Sequence, residues 1–548
     1  MRVLLGPGSG GPAIPRLAGP PGVVALVLAL AAHTGAQFDP TRAVREAPPV
    51  AARFADPAPP PTPAFADGRT DLTSHDEALA FLERLAAGTP GHVTVETAGR
   101  SQEGRALALV ALTGTGGYSA ARPTVLVLAQ QHGNEPSGGE AALALAARLA
   151  GPDRALLDRV NVYVVPRANP DGAEHFVRAT ASGADVNRDH LLLQTPEAQA
   201  IAAVTRRLRP DVVLDLHEFT VADRWVKKYG VVQYYDALLQ GATVGNLSPA
   251  IAREADTGFL APVRAALTGA GLHVFQYHTT STDPDDKVVS AGGVQPDTGR
   301  NVNGLRQAVS ILIETRGVGL GRAHLARRVQ THVTAAMTVV AQAARRGPRL
   351  LATTRQADAE IAGLACTGRL VVAAGHTPGR LPMTFLDAAS GAERRLVVPW
   401  RSADTLEVVR ARPRPCGYLL APGETAAVEK LRLLGVQVDA VTGEGRWHVE
   451  RYHVVRASTG AREDARGAID GGAPIAVLDV ALAPSDTPVA PGAWFVDMAQ
   501  PLASLAAAAL EPDSQNSFAA SGLVDVAGGG VRRVTAPAPP GALGDAPR

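Results

Sequence analysis

The chain has 548 residues, 46% of them apolar, and 53 basic against 52 acidic residues give a net charge of +1. That length exceeds one ordinary core and predicts two to four domains. The balanced charge excludes the clear basic excess of a nucleic-acid or polyanion binder.

In chain order, the first feature is an apolar run from Val23 to Ala32, preceded by Arg2 and Arg16 and followed by Thr34-Gly35-Ala36. It is too short to span a bilayer and fits the apolar region of a secretory signal cleaved before Gln37. Residues 1–36 are therefore read as a signal peptide and the protein as secreted or periplasmic, with no membrane span after signal removal. An uncleaved anchor is the rival reading of the same run. Residues 37–70, with Pro57-Ala58-Pro59-Pro60-Pro61-Thr62-Pro63, read as a Pro/Ala-rich linker.

From Asp71 the pattern becomes globular. Ser74 caps a predicted helix to Leu85, with Glu77 at the capping-box spacing. Strands are predicted at Val93 to Ala98, Ala106 to Leu112, Thr124 to Ala129, Val160 to Pro166, Val212 to Leu216 and Ala308 to Glu314. Helices are predicted at Gly139 to Ala150, Pro196 to Leu208 and Ala323 to Arg345. Near-continuous apolar strands alternating with helices predict an α/β/α sandwich around a mixed, mostly parallel sheet over residues 71–346. After it, short strands (Leu370 to Val372, Arg395 to Val398) between Gly and Pro turns, and one helix at Thr425 to Leu434, predict a smaller β-rich accessory domain over 347–527. The Gly-, Pro- and Ala-rich residues 528–548 read as a disordered tail. The two cysteines, Cys366 and Cys416, either pair in an oxidising compartment or stay as buried thiols.

Three predicted strands end on ligand-type residues: Gln130-Gln131-His132-Gly133-Asn134-Glu135, Asp215-Leu216-His217-Glu218 and Ile313-Glu314-Thr315-Arg316. Ligand sites of open α/β sheets lie at the carboxyl ends of strands, so the three segments converge. Two His and one carboxylate with an open position suit a catalytic zinc. Glu218 points to the opposite face from His217 and is left out.

These segments resemble the pancreatic-type zinc carboxypeptidases. His132-x-x-Glu135 after a buried strand, a distant His217 and a later Glu314 follow that family's order. So do Ser101-Gln102-Glu103-Gly104-Arg105, Asn169-Pro170-Asp171-Gly172 and Gly183-Ala184-Asp185-Val186-Asn187-Arg188. The resemblance covers residues 71–346 and implies a secreted, bacterial-type member with a C-terminal accessory domain. It implies one Zn2+ per chain on His132, Glu135 and His217. It further implies Glu314 as general base toward zinc-activated water and Arg178 as the cation that polarises the scissile carbonyl. Asn187 and Arg188 match the pair that holds a substrate's terminal carboxylate. The family's substrate-closing tyrosine is one of Tyr229, Tyr234, Tyr235 and Tyr277, of which Tyr277 sits nearest Glu314 in sequence. Arg300 in the pocket would favour acidic side chains, whereas Asp283, Asp285 and Asp286 would favour basic ones. The expected partner is a peptide or peptide-like substrate with a free C-terminal carboxylate, and no nucleic acid. The alternatives are a zinc amidase or deacylase acting on a peptidoglycan stem or acylated amino acid, and an inactive binding protein of the same fold.

Overall fold

The structure, a computed structural model, describes residues 43–469 and 472–543. The expected signal peptide lies outside them. All described residues belong to one compact unit, Ala36–Arg548.

The central sheet has eight strands: β1 (Val93–Arg100), β2 (Ala106–Leu112), β3 (Thr124–Ala129), β4 (Asn161–Val165), β5 (Val212–Thr220), β6 (Ala237–Gly241), β7 (Val274–Gln276) and β8 (Val309–Val318). Their order is β1-β2-β4-β3-β5-β8-β6-β7. The middle four, β4-β3-β5-β8, are mutually parallel, while β1, β2 and β6 meet their inner neighbours antiparallel. Side-chain alternation gives each face its own core. Val125, Val127, Leu214, Leu216, Ile311 and Ile313 pack toward the helices α1 (His75–Gly88), α2 (Pro136–Ala150) and α4 (Leu325–Gly363). Leu126, Leu128 and Val213 pack toward Ile201 and Val204 of α3 (Pro196–Leu208). Covering both faces is why these strands read as continuous apolar runs. The capping box of Ser74 and Glu77 forms at the start of α1 as expected.

Several elements depart from the sequence expectations. Helix α4 does not stop at Arg345 but runs for 39 residues through Pro348. Proline removes one helical hydrogen bond, yet Ala344, Gly347, Leu350, Thr354, Ala357 and Ile361 keep a buried stripe at helical spacing across it. Packing overrides the local penalty, and the helix passes straight through the expected domain boundary. The described part of the expected linker is docked: Val50 and Phe54 are buried, and Glu46 binds Arg316 and His324. In the expected tail, Val531–Val534 forms a strand against Gly417–Leu420.

Beyond α4, Arg369–Asp387 and Glu393–Pro413 form one long antiparallel hairpin. It joins Val231–Gln233 and Val289–Ser290 of the preceding region in one sheet. A second sheet is built around Gly417–Leu420, Gly445–Gly460 and Ile475–Val489. Between the last two strands hangs a small hairpin, Glu463–Asp464 paired with Gly467–Ala468. Cys366 and Cys416 form a disulfide. No helix among the described residues is long and apolar enough to cross a membrane.

Candidate metal centre and active site

The parallel register of β5 and β8 sets Glu314 directly beside His217 at the carboxyl end of the sheet. The loop after β3 brings His132 and Glu135 to the same place, with Glu135 immediately ahead of α2. Among the described residues, His132, Glu135 and His217 are the one group of His, Cys and acidic side chains that could hold a metal ion, with ligand atoms all within 4.8 Å of one another. All three are buried.

His132 Nδ1 lies 2.8 Å from Glu135 Oε1, and His217 Nδ1 lies 2.9 Å from Glu135 Oε2. The two Nδ1 atoms face each other at 3.1 Å. The far nitrogen of each ring meets a carboxylate: His132 Nε2 is 3.0 Å from Asp185 and His217 Nε2 is 3.0 Å from Asp215. That arrangement favours the N–H on Nε2 and leaves both Nδ1 lone pairs turned inward, as metal-ligating histidines require. Two imidazole nitrogens and a carboxylate converge on one point. The donor set fits zinc.

Burial would raise Glu135, but His132 and His217 hold it well below the usual carboxylate range. Burial would lower His217, but Asp215 and Glu135 raise it well above an ordinary histidine. Glu314 is different. Burial, and then the negative charge of Glu135, push its carboxyl up to about 7. The Glu218 carboxylate is turned to Arg328 at 2.7 Å and is not part of the metal-type group, although its amide donates to Glu135 at 3.0 Å.

A cavity of about 160 Å3 opens over these groups. Its walls include Arg178, Asn187, Arg188, Tyr277, Arg300 and Glu314. Arg178 binds Asp185 through Nη2 at 2.8 Å and reaches Glu135 at 3.3 Å. Asn187 Nδ2 lies 3.1 Å from His217 Nε2, and its side-chain oxygen accepts from the Gly299 amide at 2.8 Å. Of the four tyrosine candidates, Tyr277 alone lines the cavity. Tyr229 instead donates to the Lys287 carbonyl, and Tyr235 accepts from the Thr384 amide. Arg300 does reach the wall, but its donors are already taken by Gln240, Thr243 and the Gly293 carbonyl. Asp283, Asp285 and Asp286 do not line the cavity. A larger cavity, about 900 Å3, opens at the opposite strand ends beside Thr124, Asp211 and Ala308. It holds none of the metal-type group, so chemistry rather than volume selects the smaller one.

Sequence reasoning missed Asp215, Asp185 and Asp464. Asp215 was legible, since it sits two residues before His217 and so shares its face. Asp185 lay inside a quoted motif without a role. Asp464, which binds Arg188, had no local signal at all.

Residues 78–222, which contain all three candidate ligands, match the family described as zinc carboxypeptidase. Carboxypeptidase 2 of Trichophyton rubrum is 27% identical over 472 residues, covering 84% of this chain and 86% of that protein. Carboxypeptidase 2 of Trichophyton equinum is likewise 27% identical, covering 85% of this chain and 86% of that protein. A solved metallo-carboxypeptidase from Burkholderia cenocepacia superimposes with a TM-score of 0.37 at 21% identity, over 49% of this chain and 70% of that one.

Proposed function

We propose that the chain works as a zinc-dependent metallocarboxypeptidase, on the match of residues 78–222 to the zinc carboxypeptidase family and its likeness to the carboxypeptidase 2 relatives, and that its residues divide the work as follows. His132, Glu135 and His217 hold the zinc. The observation that carries this is the convergence of their ligand atoms, with a carboxylate behind each imidazole. Zinc held there supplies Lewis acidity, polarising a carbonyl oxygen and acidifying water.

Glu314 is the general base. Its carboxylate takes a proton from the attacking water and hands it to the leaving amine nitrogen. Burial pushes its carboxyl up, which favours its holding that proton between the two halves of the exchange. Arg178, at the cavity wall beside Glu135, offers a fixed positive group where charge develops on the scissile carbonyl oxygen. Asn187 and Arg188 bind the terminal carboxylate of a peptide, for which the planar guanidinium fork is suited. Tyr277 closes the pocket over the substrate. The Cys366–Cys416 disulfide and the apolar run at 23–32 support action outside the cytoplasm.

The metal assignment has a direct test. Purified protein is expected to carry one zinc per chain by elemental analysis. Removing a carboxylate behind a ligand commonly weakens metal binding by about 10–100-fold, so His217→Ala should weaken it by more than ~100-fold. A wild type that takes up no zinc under metal-replete conditions contradicts the assignment.

A further inference from the structure

The arginine assigned to the substrate's terminal carboxylate already holds one from its own chain. Arg188 points Nε and Nη2 at a single oxygen, Asp464 Oδ2, at 3.1 and 2.5 Å. Its Nη1 is turned to the Asn187 carbonyl at 2.7 Å. The pair is close to sealed, with the Arg188 side chain 13% exposed and that of Asp464 7%. Burial would raise the Asp464 carboxyl, but Arg188 and Arg466 hold it well below the usual carboxylate range.

Asp464 arrives from far along the chain, on the small hairpin Glu463–Asp464/Gly467–Ala468. That hairpin is fastened on both sides of the site. Arg462 donates to the Arg188 carbonyl at 2.5 Å and to Asp297 at 2.8 Å. Glu463 exchanges backbone hydrogen bonds with the Gln515 side chain. Two residues beyond Asp464, Arg466 also binds its Oδ2, at 2.8 Å, and forms part of the cavity wall.

We propose that Asp464 sets the affinity of the site for C-terminal carboxylates by competing with them for Arg188, and that Arg466 is the partner to which Asp464 yields. The two carboxylates are chemically alike, and both cannot occupy one fork at close range without repulsion. A substrate carboxylate therefore has to displace Asp464. The second arginine lowers the cost of that displacement, because Asp464 keeps one guanidinium when it gives up the other. The hairpin thus acts on specificity through Arg188, as a positioning element of the C-terminal region. The inference rests on the assignment of Arg188 as the carboxylate anchor.

The test is steady-state kinetics of the full-length zinc-loaded protein on an N-acylated dipeptide free acid. Asp464→Asn should lower KM about tenfold by removing one charge-assisted competitor, with kcat changed less than about twofold. Arg466→Gln should move KM the other way, because Asp464 then has Arg188 alone. Asp464→Glu keeps the competing charge and should leave KM near the wild-type value, which separates charge from damage to the hairpin. Unchanged KM in Asp464→Asn, or a raised KM in both Asp464→Asn and Arg466→Gln, overturns the competition. Arg188→Ala distinguishes the underlying assignment: it should raise KM for the free acid, and an unchanged KM there overturns the anchor itself.

Discussion

Replacing Glu314 by Gln is expected to lower kcat/KM by about 10²- to 10⁴-fold while one zinc stays bound per chain. The amide is nearly the same size, so the cavity keeps its shape. Glu314 stands outside the group that can hold the metal. What the variant loses is a carboxylate able to accept and return a proton. The environment makes that proton available near neutrality, since burial and the nearby Glu135 charge both disfavour the Glu314 anion. An amide has no charge to bury, so the melting temperature should not fall. Kinetics together with metal analysis check this, and a variant that keeps more than a tenth of wild-type turnover removes Glu314 from the general-base role.

The second large effect lies in the backbone beneath the ligands. Gly133 stands between His132 and Glu135, and its α-carbon presses on the turn at Asn169-Pro170-Asp171-Gly172. A Cβ there would overlap the Gly172 carbonyl and the Ala173 amide nitrogen. Both obstacles are main chain, so no rotamer change relieves them. Asn169 pins that turn by accepting from the Gly172 amide at 2.9 Å. Gly133→Ala must therefore push the loop that carries His132 and Glu135 away from His217. Overpacking of this kind costs about 3 kcal/mol or more. A ligand shift near 1 Å is enough to cost about 10²-fold in rate. Thermal unfolding and zinc content of the variant check both consequences. A Gly133→Ala protein with native stability and native zinc content would mean that the two motifs are not packed as described.

The same pair of motifs shows why much of the site was legible in the sequence. His132, Glu135, His217 and Glu314 each follow a buried apolar strand, and a parallel sheet collects strand ends on one edge. The register then does the rest, pairing Glu314 with His217. Asp215 follows from two-residue periodicity, although the apolar run around it drew attention away. Asp464 follows from nothing local. Its role depends on a contact with Arg188 across 276 positions, made by a hairpin whose own strands are two residues long.

The fold divides in the same way. Six of the eight strands of the central sheet were readable, the inner ones because both faces are covered and they are correspondingly apolar, whereas the short edge strands Ala237–Gly241 and Val274–Gln276 were not. The hairpin of Arg369–Asp387 with Glu393–Pro413 was seen only as fragments. Its residues are half exposed along much of their length, so apolar alternation is broken. Proline-rich composition and helix length were the weakest guides. The helix expected to end at Arg345 runs on through Pro348 to Gly363. The Pro/Ala composition around residues 48–65 suggested a free linker where Val50 and Phe54 are in fact buried.

The measurement that bears most directly on the account is product analysis of one peptide offered in two forms, as the free acid and as the C-terminal amide, to the zinc-loaded protein. The account predicts stepwise release of single residues from the free acid and little or none from the amide, since Arg188 and Asn187 then have no carboxylate to hold. Cleavage within the peptide, or equal turnover of acid and amide, would contradict it.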